Sequence, residues 1–367
     1  MKNDRQKIVI LLLIAALIFS VFTIYVYSNS EPRASAKAAV LYEPETDSIL
    51  YSKNHNQKLP MASTTKIMTA ILAIEMLDPE EKIKVNDSAA GIEGSSVYLT
   101  GGEMIVADDL IYATLLQSAN DASAAIAYAI SGTIEDFAFL MNQKAIELGL
   151  QNTSFKNPHG LDSEGHYTTA IDLARLAAYA LGNRHFREIA ETYKKTITTQ
   201  RGEVLLVNHN RLLKQYDGCI GVKTGYTKKS GRCLVSAAER GGLNLIAVTL
   251  NASNDWNDHK TMLDYGYSLL CKHTLANAGE ISYTLPVIDG SSDSLKVSNE
   301  KCLHYIFNKS STDYKTEICL PKYLVAPIQK GQTVGYVRFL KDGKIIGESA
   351  ITAEISVEKI NKKRFFG

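Results

Sequence analysis

Cysteine is scarce in this chain: five residues among 367, scattered, with no Cys-x-x-Cys pair at zinc-finger spacing. Neither a disulfide framework nor a cysteine-held metal can therefore do the work of a hydrophobic core. Net charge is nearly absent too. Forty Lys and Arg stand against 39 Asp and Glu, for +1, and no long basic stripe appears, so the phosphate-neutralising surface that a nucleic acid requires is missing. No nucleic-acid partner is expected. There is no internal repeat and no low-complexity segment, and 45% apolar with 22% charged residues is globular composition, which excludes disorder and collagen-like structure. At roughly 100 to 200 residues per domain, the length implies about two domains.

What is present begins with one long hydrophobic run. Lys2, Arg5 and Lys7 precede twenty uncharged residues, 8–27, and Ser30, Glu31, Pro32 and Arg33 mark the end. That reads as an export signal outside the fold, with the basic residues held inside and the remainder sent across. Its length matches the roughly 30 Å of a bilayer core. Ala34-Ser35-Ala36 offers a small-x-small cleavage site. Residues 1–36 are therefore either a removed signal peptide or a retained membrane anchor.

Residues 37–276 show a mixed α and β pattern. Short strands are expected at 38–42 and 48–51, then helices at 63–77, 108–116, 121–130 with Gly132 as cap, 134–148 and 169–181, where Thr169 and Asp172 have capping-box spacing. After Asn183 the pattern predicts a return to strands, at 194–199, 219–226, 232–238 and 244–250, before a closing helix over 256–271. Strands, then helices, then adjacent strands imply an α/β fold of α+β type, an antiparallel sheet covered by helices. Residues 277–360 carry only strand and turn signals and predict a small all-β domain. The basic tail 361–367 is too short for a stable helix.

Three patches could carry chemistry. Ser63-Thr64-Thr65-Lys66 opens a helix that is apolar on nearly every side, so Ser63 and Lys66, three residues apart, share a face inside a low-dielectric region. Desolvation and a second cation can bring a lysine from about 10.4 towards neutrality, which sets a base beside a nucleophile. Alone, the pair equally fits a helix cap with a snorkelling lysine. Ser-x-x-Lys also recurs at Ser298 with Lys301 and at Ser356 with Lys359. Ser118-Ala119-Asn120 falls between two helices, where a hydroxyl and an amide can face a cleft. Lys223-Thr224-Gly225 lies on a predicted strand whose glycine permits close approach and whose cation and hydroxyl suit a carboxylate.

Together, Ser-x-x-Lys, Ser-x-Asn and Lys-Thr-Gly form the motif set of penicillin-binding proteins and class A β-lactamases. The surrounding words Met61-Ala62-Ser63-Thr64-Thr65-Lys66-Ile67-Met68-Thr69, Gly94-Ser95-Ser96, Leu116-Gln117-Ser118-Ala119-Asn120-Asp121-Ala122, Asn157-Pro158-His159-Gly160-Leu161-Asp162 and Gly221-Val222-Lys223-Thr224-Gly225-Tyr226-Thr227 resemble the D-alanyl-D-alanine carboxypeptidase family of low-molecular-weight penicillin-binding proteins. The β tail, notably Ala326-Pro327-Ile328-Gln329-Lys330-Gly331-Gln332, resembles that family's C-terminal domain. The resemblance implies a β-lactamase/transpeptidase-like fold and an extracytoplasmic enzyme, membrane-associated or secreted to the cell wall. Its substrate would be a peptidoglycan stem peptide ending in D-Ala-D-Ala, and β-lactam antibiotics would be its inhibitors.

It also implies roles. Ser63 would attack, Lys66 would be general base, and Ser118 would pass a proton to the leaving D-alanine. Asn120 would fix the substrate amide, and Lys223 and Thr224 would hold the terminal carboxylate. The backbone N–H groups of Ser63 and Tyr226, the latter beside Gly225, would receive the oxyanion. No cofactor and no metal are implied. Two features depart from the family: the chain lacks a C-terminal amphipathic anchor, and where some relatives carry a carboxylate-binding arginine before the last helix it has Asp255-Trp256-Asn257-Asp258-His259-Lys260. Arg211 is a candidate for that task.

His159, Asp162, Glu164 and His166 cluster within eight residues, but on a glycine-rich stretch without the fixed spacing of a metal site. A turn near residue 228 would pair position 219 with about 238, leaving Cys219 and Cys233 out of register for a disulfide. Cys302 and Cys319 are open to a bridge. Two rival functions are a serine β-lactamase, disfavoured because no Glu-x-x-Leu-Asn occurs between Ser118 and Lys223, and a non-catalytic peptidoglycan-binding relative, disfavoured by three intact motifs.

Overall fold

The computed structural model describes residues 31–360. The apolar run 8–27 and the basic tail 361–367 lie outside the described residues. The chain divides into two compact units, with the break between Ser268 and Leu269.

In the first unit, β1 (Ala38–Glu43) and β2 (Ser48–Lys53) form a hairpin. A 3-10 turn, Ala62–Thr65, runs into α1 (Lys66–Met76). The short ribbon β3 (Lys82–Lys84) and β4 (Met104–Val106) follows. Then come α2 (Ala107–Leu116), α3 (Asn120–Ser131), α4 (Ile134–Glu147), α5 (Ala170–Gly182) and α6 (Arg184–Glu191). The hairpin β5 (Lys194–Thr199) and β6 (Gly202–Val207) precedes the single turn α7 (Leu212–Gln215). The strands β7 (Cys219–Thr227), β8 (Gly231–Arg240) and β9 (Leu243–Ala252) lead into α8 (Asp255–Leu269).

The sheet order is β2-β1-β9-β8-β7, antiparallel throughout, so the expected helix-covered antiparallel sheet is what forms. All six residues of β1 are buried, because helices cover both faces. Ala38, Val40 and Tyr42 join the core formed with α1 to α5. On the opposite face, α8 approaches so closely at Gly266 that a Cβ there would stand 2.9 Å from Leu41 Cδ2 and 2.6 Å from Leu245 Cδ1. Position 266 therefore has no room for a side chain.

Local signals set the helix ends. Thr169 caps α5 by accepting from the Asp172 N–H, and Gly132, at φ +79°, closes α3 with its N–H donating to Tyr128 O. The strands expected after Asn183 form, but an unexpected helix precedes them: the Asn183 side chain accepts from the His185 and Phe186 N–H groups and starts α6. Phe186, Ile189 and Ala190 are the buried positions of that helix, a one-sided spacing of helical period.

A second correction concerns the last helix, which ends at Leu269; Leu270–Ala276 is a strand. Residues 34–36 are built into the unit. Ala34 and Ala36 are buried, and the N–H and hydroxyl of Ser35 both donate to Asp258 Oδ2, at 2.9 and 2.7 Å.

The second unit is all β. Strand β10 (Leu270–Ala276) pairs with β13 (Leu303–Asn308). A six-stranded sheet contains β11 (Ser282–Ile288), β12 (Ser294–Asn299), β14 (Lys315–Cys319), β15 (Leu324–Val325), β16 (Thr333–Lys341) and β17 (Lys344–Ala353), in the order β14-β16-β17-β12-β11-β15. Its core includes Val297, Phe307, Val337, Phe339 and Ile351. Cys302 and Cys319 are exposed free thiols rather than a bridge. Among the described residues, no single helix is long and apolar enough to cross a membrane.

Candidate active site

Ser63 sits on the 3-10 turn that feeds α1, and that turn is held in an unusual conformation. Ala62 has φ +48°, in the sparsely populated left-handed region. The hydroxyls of Thr64 and Thr65 donate to Met61 O and Ala62 O at 2.6 and 2.8 Å. Gly160 presses on the same place, since a Cβ there would lie 1.9 Å from Ala62 O. Only glycine, here at φ +87°, allows that approach.

Lys66, the first residue of α1, is fully buried. Its Nζ lies 3.1 Å from Ser63 Oγ, 2.7 Å from Asn120 Oδ1 and 2.6 Å from His159 O. The last two atoms only accept hydrogen bonds. They therefore take two N–H bonds of the amine and turn its remaining position towards the serine hydroxyl. Burial, and after it the Lys223 ammonium, hold the Lys66 amine well below its usual 10.5, while Asp121 works in the other direction. On a neutral amine that remaining position is a lone pair aimed at Ser63 Oγ.

The second motif occupies the corner between α2 and α3. Ser118 is buried in that loop at φ +61°, a strained setting for a residue with a side chain. Asn120 opens α3 and is clamped from three directions. Its N–H donates to Ser95 O at 2.7 Å, its Nδ2 donates to Glu93 O at 2.5 Å, and its Oδ1 receives Lys66. The next residue, buried Asp121, gathers the facing loop by accepting from Ser96 Oγ, Val97 N and Leu99 N at 2.6, 3.2 and 2.9 Å.

The third motif lies on β7, the edge strand of the sheet. Lys223 is buried and its amine is pushed down to about 7 by that burial; its Nζ donates to Thr224 O at 3.1 Å. Thr224 and Gly225 are partly exposed and Tyr226 is exposed. Gly225 faces the Ser63 turn: a Cβ on it would stand 3.0 Å from Ser63 N and 3.1 Å from Thr64 N. At the end of the strand, Thr227 Oγ1 donates to Asp162 Oδ1 at 3.0 Å.

Ser63, Lys66 and Asn120 are thus joined by hydrogen bonds, with Gly225 in contact and Lys223 close enough to depress Lys66. The structure also gives separate duties to the His159, Asp162, Glu164 and His166 cluster. His159 supplies its carbonyl to Lys66, His166 Nε2 pairs with Thr65 Oγ1 at 2.8 Å, Asp162 receives Thr227, and Glu164 is exposed. Burial lowers the imidazoles of His159 and His166 to about 3 and about 4. Cys219 lies opposite Ala238 and Cys233 opposite Gly225, both as free thiols. The Arg211 guanidinium is 6.0 Å from the Trp256 ring centroid.

Sequence reasoning gave no role to Asp121, Gly160, Ser95 O or His159 O. Their signal was the motif words 94–96, 116–122 and 157–162, which mark a structured surround without saying which atom does what.

Comparison with known proteins gives the family and the fold. The family model for D-alanyl-D-alanine carboxypeptidase matches residues 26–254, and that for the penicillin-binding protein 5 C-terminal domain matches residues 271–359. The D-alanyl-D-alanine carboxypeptidase DacF of Bacillus subtilis (strain 168) is 38% identical over 342 residues, covering 90% of this chain and 88% of that protein. DacC of Escherichia coli (strain K12), another D-alanyl-D-alanine carboxypeptidase, is 31% identical over 358 residues, covering 92% and 87%. The crystal structure of penicillin binding protein 5 from Haemophilus influenzae superposes with a TM-score of 0.67 at 26% identity, covering 90% of this chain and 99% of that one.

Proposed function

The chain belongs to the D-alanyl-D-alanine carboxypeptidase family, and from that membership we propose that Ser63 is the nucleophile and Lys66 the general base that release the terminal D-alanine from peptidoglycan stem peptides. It is a serine-type carboxypeptidase working through an acyl-enzyme. The observation that carries the residue assignment is the Lys66 amine, with two hydrogen bonds spent on Asn120 Oδ1 and His159 O and its third position 3.1 Å from Ser63 Oγ.

In the first step the Ser63 hydroxyl proton moves to Lys66 Nζ as Oγ bonds to the carbonyl carbon before the terminal D-alanine. The oxyanion is received by backbone N–H groups of Ser63 and Tyr226, each such donor being worth about a hundredfold or more in rate. The C–N bond then breaks. Ser118 delivers a proton to the leaving amine, and Lys66 makes good that proton. Water attacks the ester, loses its proton to Lys66, and Ser63 Oγ is reprotonated as the acyl group departs. Asn120 orients the substrate amide, Gly225 lets the strand lie close to Ser63, and Lys223 with Thr224 meets the terminal carboxylate. An edge strand leaves backbone groups with which an extended peptide can pair.

β-Lactams acylate the same serine. The catalytic work belongs to the unit ending at Ser268, and the β unit carries none of these residues. The enzyme is extracytoplasmic, secreted to the wall or held at the membrane by residues 1–36. The test is D-alanine release from a D-Ala-D-Ala stem peptide with labelling by a tagged penicillin. Both should vanish in Ser63→Ala, and labelling that persists there would remove Ser63 from its role.

A further inference from the structure

In the site described so far the terminal carboxylate meets only a buried lysine, with no guanidinium beside it. Burial pushes the Lys223 amine down to about 7, and the loop leading to α8, Asn251-Ala252-Ser253-Asn254, carries no basic residue. The neighbouring strand supplies one. Arg232 on β8 lies directly opposite Tyr226 in the β7–β8 pairing, and Thr224 lies opposite Leu234. Arg232 is thus the diagonal neighbour of Thr224 on the same face, a separation of about 7 to 8 Å that a long side chain spans.

The backbone beneath Arg232 is shaped to turn it outward. Arg232 pairs with Ala252 while Leu234 pairs with Thr249, so β9 holds one extra residue there, and Asn251 within it has φ +56°. Such bulges redirect side chains beside sites. The guanidinium then reaches the loop before α8: its Nη2 donates to Ser253 O, and its Nε lies 3.6 Å from Asp255 Oδ1. That Asp255 oxygen is buried and has no hydrogen-bond partner, so the ion pair is unclosed. About half of the Arg232 side chain is exposed, at 48%.

We propose that Arg232 is the substrate-binding cation for the terminal carboxylate, acting beside Thr224, and that Asp255 is the positioning residue that holds its guanidinium at the start of α8. A guanidinium is always charged and presents two parallel N–H bonds to a carboxylate, which the point charge of a lysine does not match. This inference rests on the carboxypeptidase reading of Ser63.

The test uses the full chain and two peptides, one ending in D-Ala-D-Ala with a free carboxylate and the same peptide as its C-terminal amide. Arg232→Gln should lose about ten- to a hundredfold in kcat/KM on the free acid, mainly through KM, with the amide turned over as by wild type. Arg232→Lys should recover part of the loss, and Asp255→Asn should show a smaller loss of the same acid-selective kind. Equal losses on both peptides, or no loss, would overturn the assignment. So would an acid-selective loss in Arg211→Ala with Arg232→Gln unaffected. A wild-type enzyme that releases nothing from either peptide would instead remove the function on which the assignment stands.

Discussion

Gly225 packs against the backbone of Ser63: a Cβ at position 225 would come within 3.0 Å of the Ser63 nitrogen. The atoms it would meet belong to the main chain of a turn already constrained at Ala62, so neither side has slack. Gly225→Ala forces the turn to give by a few tenths of an ångström and should slow acylation by a labelled penicillin by about tenfold or more, since an ångström of misplacement costs on the order of a hundredfold. Wild-type acylation rates in this variant would show that the approach has no role.

Asn120→Asp places a carboxylate where an amide oxygen now sits 2.7 Å from Lys66 Nζ. A negative charge there favours the ammonium and raises the Lys66 pKa, so the base is lost at neutral pH and regained as pH rises. The pH profile of kcat/KM should move its acid limb upward, with about a ten- to hundredfold loss at pH 7 that shrinks in alkali. A loss equal at every pH would speak against Lys66 as base.

Three buried imidazoles make the fold sensitive to acid. His159, His166 and His259 are lowered by burial from 6.5 to about 3, about 4 and about 3, and His259 is wedged between Ser236 Oγ and Thr249 Oγ1. Below pH 6.5 the unfolded chain takes up protons that the folded chain refuses, so stability is present above that value and falls with pH down to the folded pKa of each ring. Each contributes a slope of about 1.4 kcal/mol per pH unit in that window. Urea midpoints at pH 7, 6 and 5 should drop steadily; a flat series would contradict the burial argument.

Removal of residues 1–36 takes away Ser35, whose N–H and hydroxyl both serve Asp258. Asp258 is 5% exposed, and losing partners at a buried carboxylate costs about 1–3 kcal/mol or more. A chain starting at Lys37 should unfold at lower urea than one starting at Glu31, and identical midpoints would refute the contribution of this segment.

Much of this architecture was legible because its signals are local. The apolar surround of Lys66 announced a buried helix, Gly132 and Thr169 announced helix ends, and the glycine of Lys223-Thr224-Gly225 announced a close approach. Other parts depend on partners remote in sequence. Arg184–Glu191 is not announced by its sequence, because Gly182 and Asn183 look like a terminus, whereas Asn183 also begins the next helix. Leu269, Leu270 and Cys271 form an apolar run that suits helix and strand alike, and pairing with residues 303–308 decides for the strand. The pinning of Lys66 by His159 O, and the reach of Arg232 to Ser253, join segments that no spacing rule connects.

The pairing of Ala38 with Leu250 has a consequence for how the protein comes into being. The first strand of the unit sits inside the sheet, bonded on one side to the last strand of the unit, so the sheet is sealed only after almost the whole unit has been delivered. Closure at such long sequence separation is slow. A chain threaded end-first across a barrier would close this sheet only once strand β9 had arrived.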